Sequence, residues 1–265
     1  MNRYRRVIRG LPTLTGALVV ALTVACSAQA GNGPAAADPT RSPTRTTAPA
    51  SVAATHAATP VPLPPISEAA RAVGFVDVRT VVPDAVIDLR YATTNNFVGV
   101  RLYPANARCL IHESLAAGLR AAAARLRTSG ETLVFWDCYR PHSVQVTMFQ
   151  EVPNPAWVAA PGPYSRSHES GRSVDVTLAT RRSDCPADRR VDGHCLVDMG
   201  TDFDSFTPAA TAFATEGVSP AAQRSRARLR DAMAAGGLSV YSGEWWHFDG
   251  PGAGVHRPII DVPLT

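Results

Sequence analysis

The sequence predicts an α+β domain over residues 66–265, with a mostly antiparallel central sheet flanked by helices. Three observations lead there. From Ile66 onward, apolar stretches and helical segments follow one another over enough chain for a single domain with a full core. Helices and strands mix without the βαβ rhythm that a parallel sheet requires, and hairpin-like neighbours occur near the C-terminus. No internal repeat interrupts the pattern.

Each element has its own signal. "AVIDLRYAT" (85–93) alternates as a strand, and "NNFVG" supplies the turn that ends it. "HESLAAGLRAAAARLRTSG" is an alanine- and leucine-rich helix from about 112 to 128, closed by Gly130. "ETLVFWDCYRP" then reads as a buried strand ending at Arg140. Pro141 fits the first turn of a helix running through "HSVQVTMFQ". "RSVDVTL" is a further strand. "SPAAQRSRARLRDAMAAGG" is a helix with Ser219 as its cap, Pro220 at its first position and glycines at its end. "LSVYS" and "EWWHFD" are the last strands.

The chain ahead of this domain is of another kind. Residues 1–25 hold four arginines, then an apolar run from Leu11 to Ala25 that ends in small residues, which is the pattern of a secretion signal. The run is shorter than the roughly 20 apolar residues of a membrane-spanning helix, and a transmembrane anchor is the alternative. Cys26 follows "LTVA" and resembles the bacterial lipobox cysteine, which takes a lipid; Thr23 stands where that pattern prefers leucine. Both a lipoprotein on the outer face of the membrane and a freely secreted protein follow from this reading. Residues 26–65 are rich in alanine, proline, threonine and serine and bury too little apolar surface to fold, so they read as a tether. The formal net charge of +4 equals the four arginines of the signal, leaving a near-neutral mature chain and no case for a nucleic-acid partner. A membrane enters only through the N-terminal lipid, and nothing in the sequence sets the oligomeric state.

Four cysteines lie within the domain, and an even number in an exported chain favours disulfides. Cys185 and Cys195 bracket the polar loop "CPADRRVDGHC", while Cys109 and Cys138 flank a helix and a strand that pack together. These pairings are expected. A zinc knuckle of Cys185, His194 and Cys195 is the rival, weakened by adjacent ligands competing for one ion.

The chemistry starts at "SRSHESGRSVDVTL" (165–178), where Asp175 stands between valines. On a strand Asp175 and Thr177 share one face, and Val174, Val176 and Leu178 the other. A half-buried carboxylate requires a positive partner. His168 lies seven residues earlier across a glycine turn, and "EWWHF" brings Glu244 and His247 together late in the chain. Two histidines, an aspartate and a spare glutamate are the inventory of a catalytic zinc site: three protein ligands, an open position and a base. His112, His142, His194 and His256 have no spacing that recruits them.

Taken in order, "YATTNNFVG", "WDCYRP", "SHESGRSVD", "DMGTDFD" and "EWWHF" resemble the D-alanyl-D-alanine dipeptidases, zinc peptidases that include the vancomycin-resistance dipeptidase, over about residues 75–250. The resemblance implies that fold for the domain and one zinc ion per chain, held by His168, Asp175 and His247. It implies Glu244 as general base and Arg140 as the group that stabilises the transition state. Asp204 matches a family acid near the site, and we expect it to orient a ligand histidine. Glu244 and His247 are three residues apart and would diverge on a regular strand, so a bend is expected after Gly243. Trp245 and Trp246 are expected to pack in the core, one of them walling the substrate pocket. Two residues depart from the wider group's pattern: Arg166 where it has serine, which bears on substrate preference, and Ser173 where it has alanine. The implied activity is hydrolysis of a small D,D-dipeptide, D-alanyl-D-alanine, in wall-peptide turnover or glycopeptide-resistance metabolism. A D,D- or L,D-carboxypeptidase acting on peptidoglycan stem peptides and a non-catalytic zinc wall-binding module are the alternatives.

Overall fold

A computed structural model describes residues 63–265. The expected secretion signal, Cys26 and nearly all of the expected tether lie outside the described residues. Among the described residues, no helix is long and apolar enough to cross a membrane.

The centre of the fold is a seven-stranded mixed sheet. A short helix α1 (Glu68–Ala72), capped by the Ser67 hydroxyl, leads into β1 (Phe75–Asp77). This strand pairs antiparallel with β3 (Leu110–His112) as a separate two-stranded ribbon. The main sheet comprises β2 (Val86–Ile87), β4 (Glu131–Asp137), β5 (Ser173–Thr180), β6 (Arg190–Val191), β7 (His194–Leu196), β8 (Ser239–Val240) and β9 (His247–Asp249). Only β2 and β4 run parallel; every other pairing is antiparallel. The α+β expectation therefore holds, and the one parallel pair follows from the long excursion through β3 and α2 (Ala116–Arg127) that separates β2 from β4.

Strand β5 is the spine. It lies along β4 on one side, and its other edge is shared, with β9 beside Ser173–Asp175 and β7 beside Ala179 and Thr180. Buried on both faces, it reads as the near-continuous apolar run "VDVTLA" in which the acid stands out. Helix α4 (Pro220–Ala235) has the expected Ser219 cap, whose hydroxyl accepts from Ala222 N. It packs on α2 so closely that a Cβ on Gly118 would lie 2.3 Å from the Gly236 carbonyl. Helix α3 (His142–Glu151) begins one residue later than expected, with Pro141 as its N-cap.

Several expected boundaries shift for local reasons. The 85–93 strand is extended only at Val86–Ile87, because Arg90–Ala92 turn into a 3-10 segment in which the Thr93 hydroxyl donates to the Arg90 carbonyl. The helix expected from 112 starts at Ala116: His112 is still in β3, and its ring accepts from Ser114 N to cap an intervening 3-10 turn. The last two strands shrink to Ser239–Val240 and His247–Asp249.

Both expected disulfides are present. Cys109–Cys138 ties the entry of β3 to the exit of β4, and Cys185–Cys195 ties the loop ahead of β6 to β7, which removes both thiolates from the zinc-knuckle alternative. Trp245 and Trp246, each 1 % exposed, join Trp136 and Phe203 in an aromatic cluster with ring centroids 5.3–5.7 Å apart. Neither tryptophan lines the main cleft, contrary to the expectation for one of them, because the bend that frees Glu244 turns both indoles inward.

Candidate active site

Antiparallel register builds the site. Asp175 in β5 stands opposite Asp137 of β4 on one side and His247 of β9 on the other, so three polar side chains line up across three strands. His168 arrives from a 3-10 turn, Ser167–Ser170, that ends at Gly171. Gly171 has φ 63°, and a Cβ there would sit 2.6 Å from the Phe75 ring; only glycine closes this turn against β1. The turn folds His168 back over the strand that follows it.

The three candidate ligands converge. His168 Nε2 lies 3.2 Å from Asp175 Oδ1 and 3.0 Å from His247 Nδ1, and His247 Nδ1 lies 3.1 Å from Asp175 Oδ1. A tetrahedral ion with bonds of roughly 2.0–2.1 Å has donors about 3.3 Å apart, so the spacing fits a divalent cation. The other ring nitrogens are engaged. His168 Nδ1 donates to the Cys138 carbonyl at 2.8 Å, and His247 Nε2 donates to Asp249 Oδ1 at 3.1 Å, so in their neutral forms the two rings turn lone pairs on the inward-facing nitrogens to a metal. Titration reflects the same crowding. Burial pulls the His247 imidazole down, but Asp175 and Asp249 outweigh it and raise it to about 10. Burial pushes Asp175 up, and the two histidines more than reverse that, holding it below the usual carboxylate range. The cluster thus demands positive charge at its centre, which a divalent ion provides.

Two further groups flank the cluster. The turn at Ser242–Gly243 bends the chain as expected, with Glu244 N bonded to the Tyr241 carbonyl, and brings Glu244 Oε2 to 3.8 Å from His247 Nδ1. Burial raises the Glu244 carboxyl above its ordinary value. Arg140 lies across from it. Its Nε and Nη2 donate to Asp137 Oδ2 at 3.0 and 2.7 Å, its Nη1 donates to Gln145 Oε1 at 2.7 Å, and Nη2 is 3.9 Å from Asp175 Oδ2. Burial acts to lower the guanidinium's pKa, yet the facing Asp137 carries it well above normal. Three of its five N–H groups are spent on this scaffold, which leaves two, and the residue lines the cleft. The Tyr91 ring lies under it at 5.3 Å.

The site opens into a cleft of about 580 Å³ lined by Arg140, Glu244, Asp204, Arg166 and the aromatic rings of Phe97 and Trp157. Asp204 is not where the histidine-orienting expectation put it. Its carboxylate accepts from the Tyr91 hydroxyl at 2.9 Å, and the orienting contacts belong to Asp249 and the Cys138 carbonyl instead. Burial and nearby Asp175 push the Asp204 carboxyl well above the usual range. Arg166 is exposed and, among the described residues, makes no side-chain hydrogen bond or ion pair. Sequence reasoning missed Asp249 and Gln145. The signal for Asp249 was present: it stands two residues beyond His247, on the same face of a strand.

A mixed α/β domain that gathers a His/Asp/His cluster, a neighbouring glutamate and a cleft-facing arginine is a metallopeptidase. Its family is specific. The profile of the D-ala-D-ala dipeptidase family matches residues 71–265, and the chain belongs to that family. A D-alanyl-D-alanine dipeptidase from Escherichia coli (strain K12) is 33% identical over 187 residues, covering 71% of this chain and 90% of the relative. One from Enterococcus faecium is 30% identical over 199 residues, covering 66% of this chain and 91% of its own, and one from Streptomyces coelicolor is 33% identical over 184 residues, covering 61% and 83%.

Proposed function

We propose that the protein is an exported zinc-dependent dipeptidase that hydrolyses D-alanyl-D-alanine in cell-wall peptide turnover or glycopeptide-resistance metabolism. The observation that carries the catalytic reading is the placement of three donor atoms within 3.2 Å of one another, with Glu244 Oε2 3.8 Å from His247 Nδ1 and Arg140 Nη2 3.9 Å from the other carboxylate oxygen of Asp175, Oδ2. His168 Nε2, Asp175 Oδ1 and His247 Nδ1 would hold the zinc, which when bound supplies Lewis acidity and brings the pKa of a water to about 7. Glu244 takes the proton of the attacking water and returns it to the departing amine. Arg140, held rigid by Asp137 and Gln145, turns its two free N–H groups toward the carbonyl oxygen as negative charge builds there.

Charge in the cleft orients a zwitterionic substrate. Asp204 is a carboxyl with no cationic hydrogen-bond partner, and a substrate ammonium reaching it would stabilise its ionised form. Arg166 is the uncommitted cation of the lining and is available to the substrate's terminal carboxylate. Two disulfides and the signal-like residues 1–25 support a site of action outside the cytoplasm, as a lipoprotein through Cys26 or as a secreted protein.

The test joins a metal assay on the purified chain to D-alanine release from free D-alanyl-D-alanine and from a stem pentapeptide. We expect one zinc per chain and release from the dipeptide alone. Release from the pentapeptide alone would make the protein a carboxypeptidase, and zinc binding with no hydrolysis of either would make it a binding module.

A further inference from the structure

We infer that Ser173 and Asp249 form a positioning pair that fixes His247 for metal binding, Ser173 acting through Asp249. The inference rests on the reading of His247 as a metal ligand and adds two residues to that machinery.

The argument begins with register. Ser173 and Asp249 are direct cross-strand partners, and so are Asp175 and His247 two positions on. With a side-chain period of two, both pairs project from the same face of the β5–β9 ladder. The outer pair therefore sits against the inner one by construction. The Ser173 hydroxyl donates to Asp249 Oδ1, and that same oxygen accepts from His247 Nε2 at 3.1 Å.

Direction along the chain of hydroxyls is fixed as well. Ser167 Oγ donates to Ser173 Oγ at 2.9 Å, so the Ser173 proton is committed onward to the carboxylate. Ser173 is wholly buried, whereas the Asp249 side chain is 40 % exposed. An aspartate that open to water samples several rotamers unless something holds it. A buried donor on the facing strand holds it in the one rotamer that meets the imidazole. The carboxylate in turn fixes the tautomer with Nδ1 free and makes that nitrogen a stronger donor to a cation. Alanine, which the wider pattern has at position 173, offers no hydroxyl, so the anchor belongs to this chain's own side chains.

The rival account is a cross-strand staple that holds β9 onto β5 and does nothing for the metal. Zinc affinity separates the two. The full chain and its Ser173→Ala, Asp249→Ala and doubly substituted forms would be titrated with zinc against a chromophoric chelator. Thermal unfolding of the metal-free proteins and the visible spectrum of their cobalt(II) forms would be recorded alongside. Asp249→Ala is expected to weaken zinc binding by roughly 10- to 100-fold. Ser173→Ala should weaken it by about 3- to 10-fold, the share of one hydrogen bond. The double substitution should bind within about twofold of Asp249→Ala, since a residue that acts through another adds nothing once that other is gone. Both single substitutions should shift the cobalt bands. Unchanged zinc affinity in Asp249→Ala overturns the inference, as does strict additivity in the double form. So does a Ser173→Ala protein that loses thermal stability while keeping its affinity and cobalt spectrum. If the unsubstituted chain takes up no zinc, the metal reading itself fails, an outcome distinct from the others.

Discussion

Arg140 is offered both as part of the scaffold and as part of the chemistry, and a pair of substitutions separates the two. Asp137 is fully buried, and its Oδ2 takes two of the arginine's hydrogen bonds while Oδ1 accepts from the Tyr103 hydroxyl at 2.7 Å and Cys138 N at 2.9 Å. Arg140→Ala removes the cation and leaves this carboxylate beside Asp175, its register partner, with neutral donors alone. Breaking a buried pair from one side costs about 3–5 kcal/mol. For a domain of this size that is a fall of roughly 6–20 °C in Tm. The same substitution removes the two N–H groups that the scaffold leaves free, and turnover should fall by about a hundredfold to a thousandfold. Adding Asp137→Asn takes away the orphaned charge while keeping an acceptor for Tyr103 and Cys138. At least half of the lost Tm should return, with turnover still depressed. Scanning calorimetry and a D-alanine release assay on the single and double forms read the two effects independently. If hydrolysis recovers together with Tm, Arg140 is scaffold alone and the catalytic assignment is wrong.

Glu244→Gln should lower kcat by about 100- to 10,000-fold with zinc content unchanged in a metal assay. Asp204 keeps a proton in the folded metal-free protein that the unfolded chain releases above its ordinary 3.8, so it subtracts stability as pH rises through that window. Asp204→Asn, which also suits the φ of 55° at this position, should therefore raise the metal-free Tm at pH 7 and leave it unchanged at pH 3. Arg166→Ser should raise KM for a free-acid dipeptide and leave that for the C-terminal amide unchanged; equal effects on both would detach Arg166 from carboxylate recognition. Loop closure over separations of 29 and 10 residues gives about 3.6 kcal/mol for Cys109–Cys138 and about 2.7 for Cys185–Cys195, so the Cys109→Ser/Cys138→Ser form should unfold at the lower temperature of the two paired variants.

What could be read ahead of the structure depended on how local each signal is. The Ser219 cap with Pro220 sets one helix start through contacts within four residues, and the observed helix agrees. The bend after Gly243 was legible because Glu244 and His247 cannot share a strand face at a spacing of three. Strands β1 and β3 went unseen, since each is three residues long and is a strand only through pairing with the other. Asp204 illustrates the opposite error: proximity to the site was right, but its partner is the hydroxyl of Tyr91, 113 residues away along the chain.

The sequence by itself determined the kinds of residue and their order: an acid in an apolar strand, a histidine across a glycine turn before it, and a glutamate and histidine three apart near the end. It also determined the even set of cysteines. Only tertiary structure decided which atoms meet. Strand register set Asp137, Asp175 and His247 in one row and placed Ser173 opposite Asp249, and ring orientation chose Nε2 of one histidine and Nδ1 of the other. The reason is physical. Local propensity acts over a few residues, whereas a metal site is built from separations of 7 to 79 residues that close only when a shared core brings the strands together.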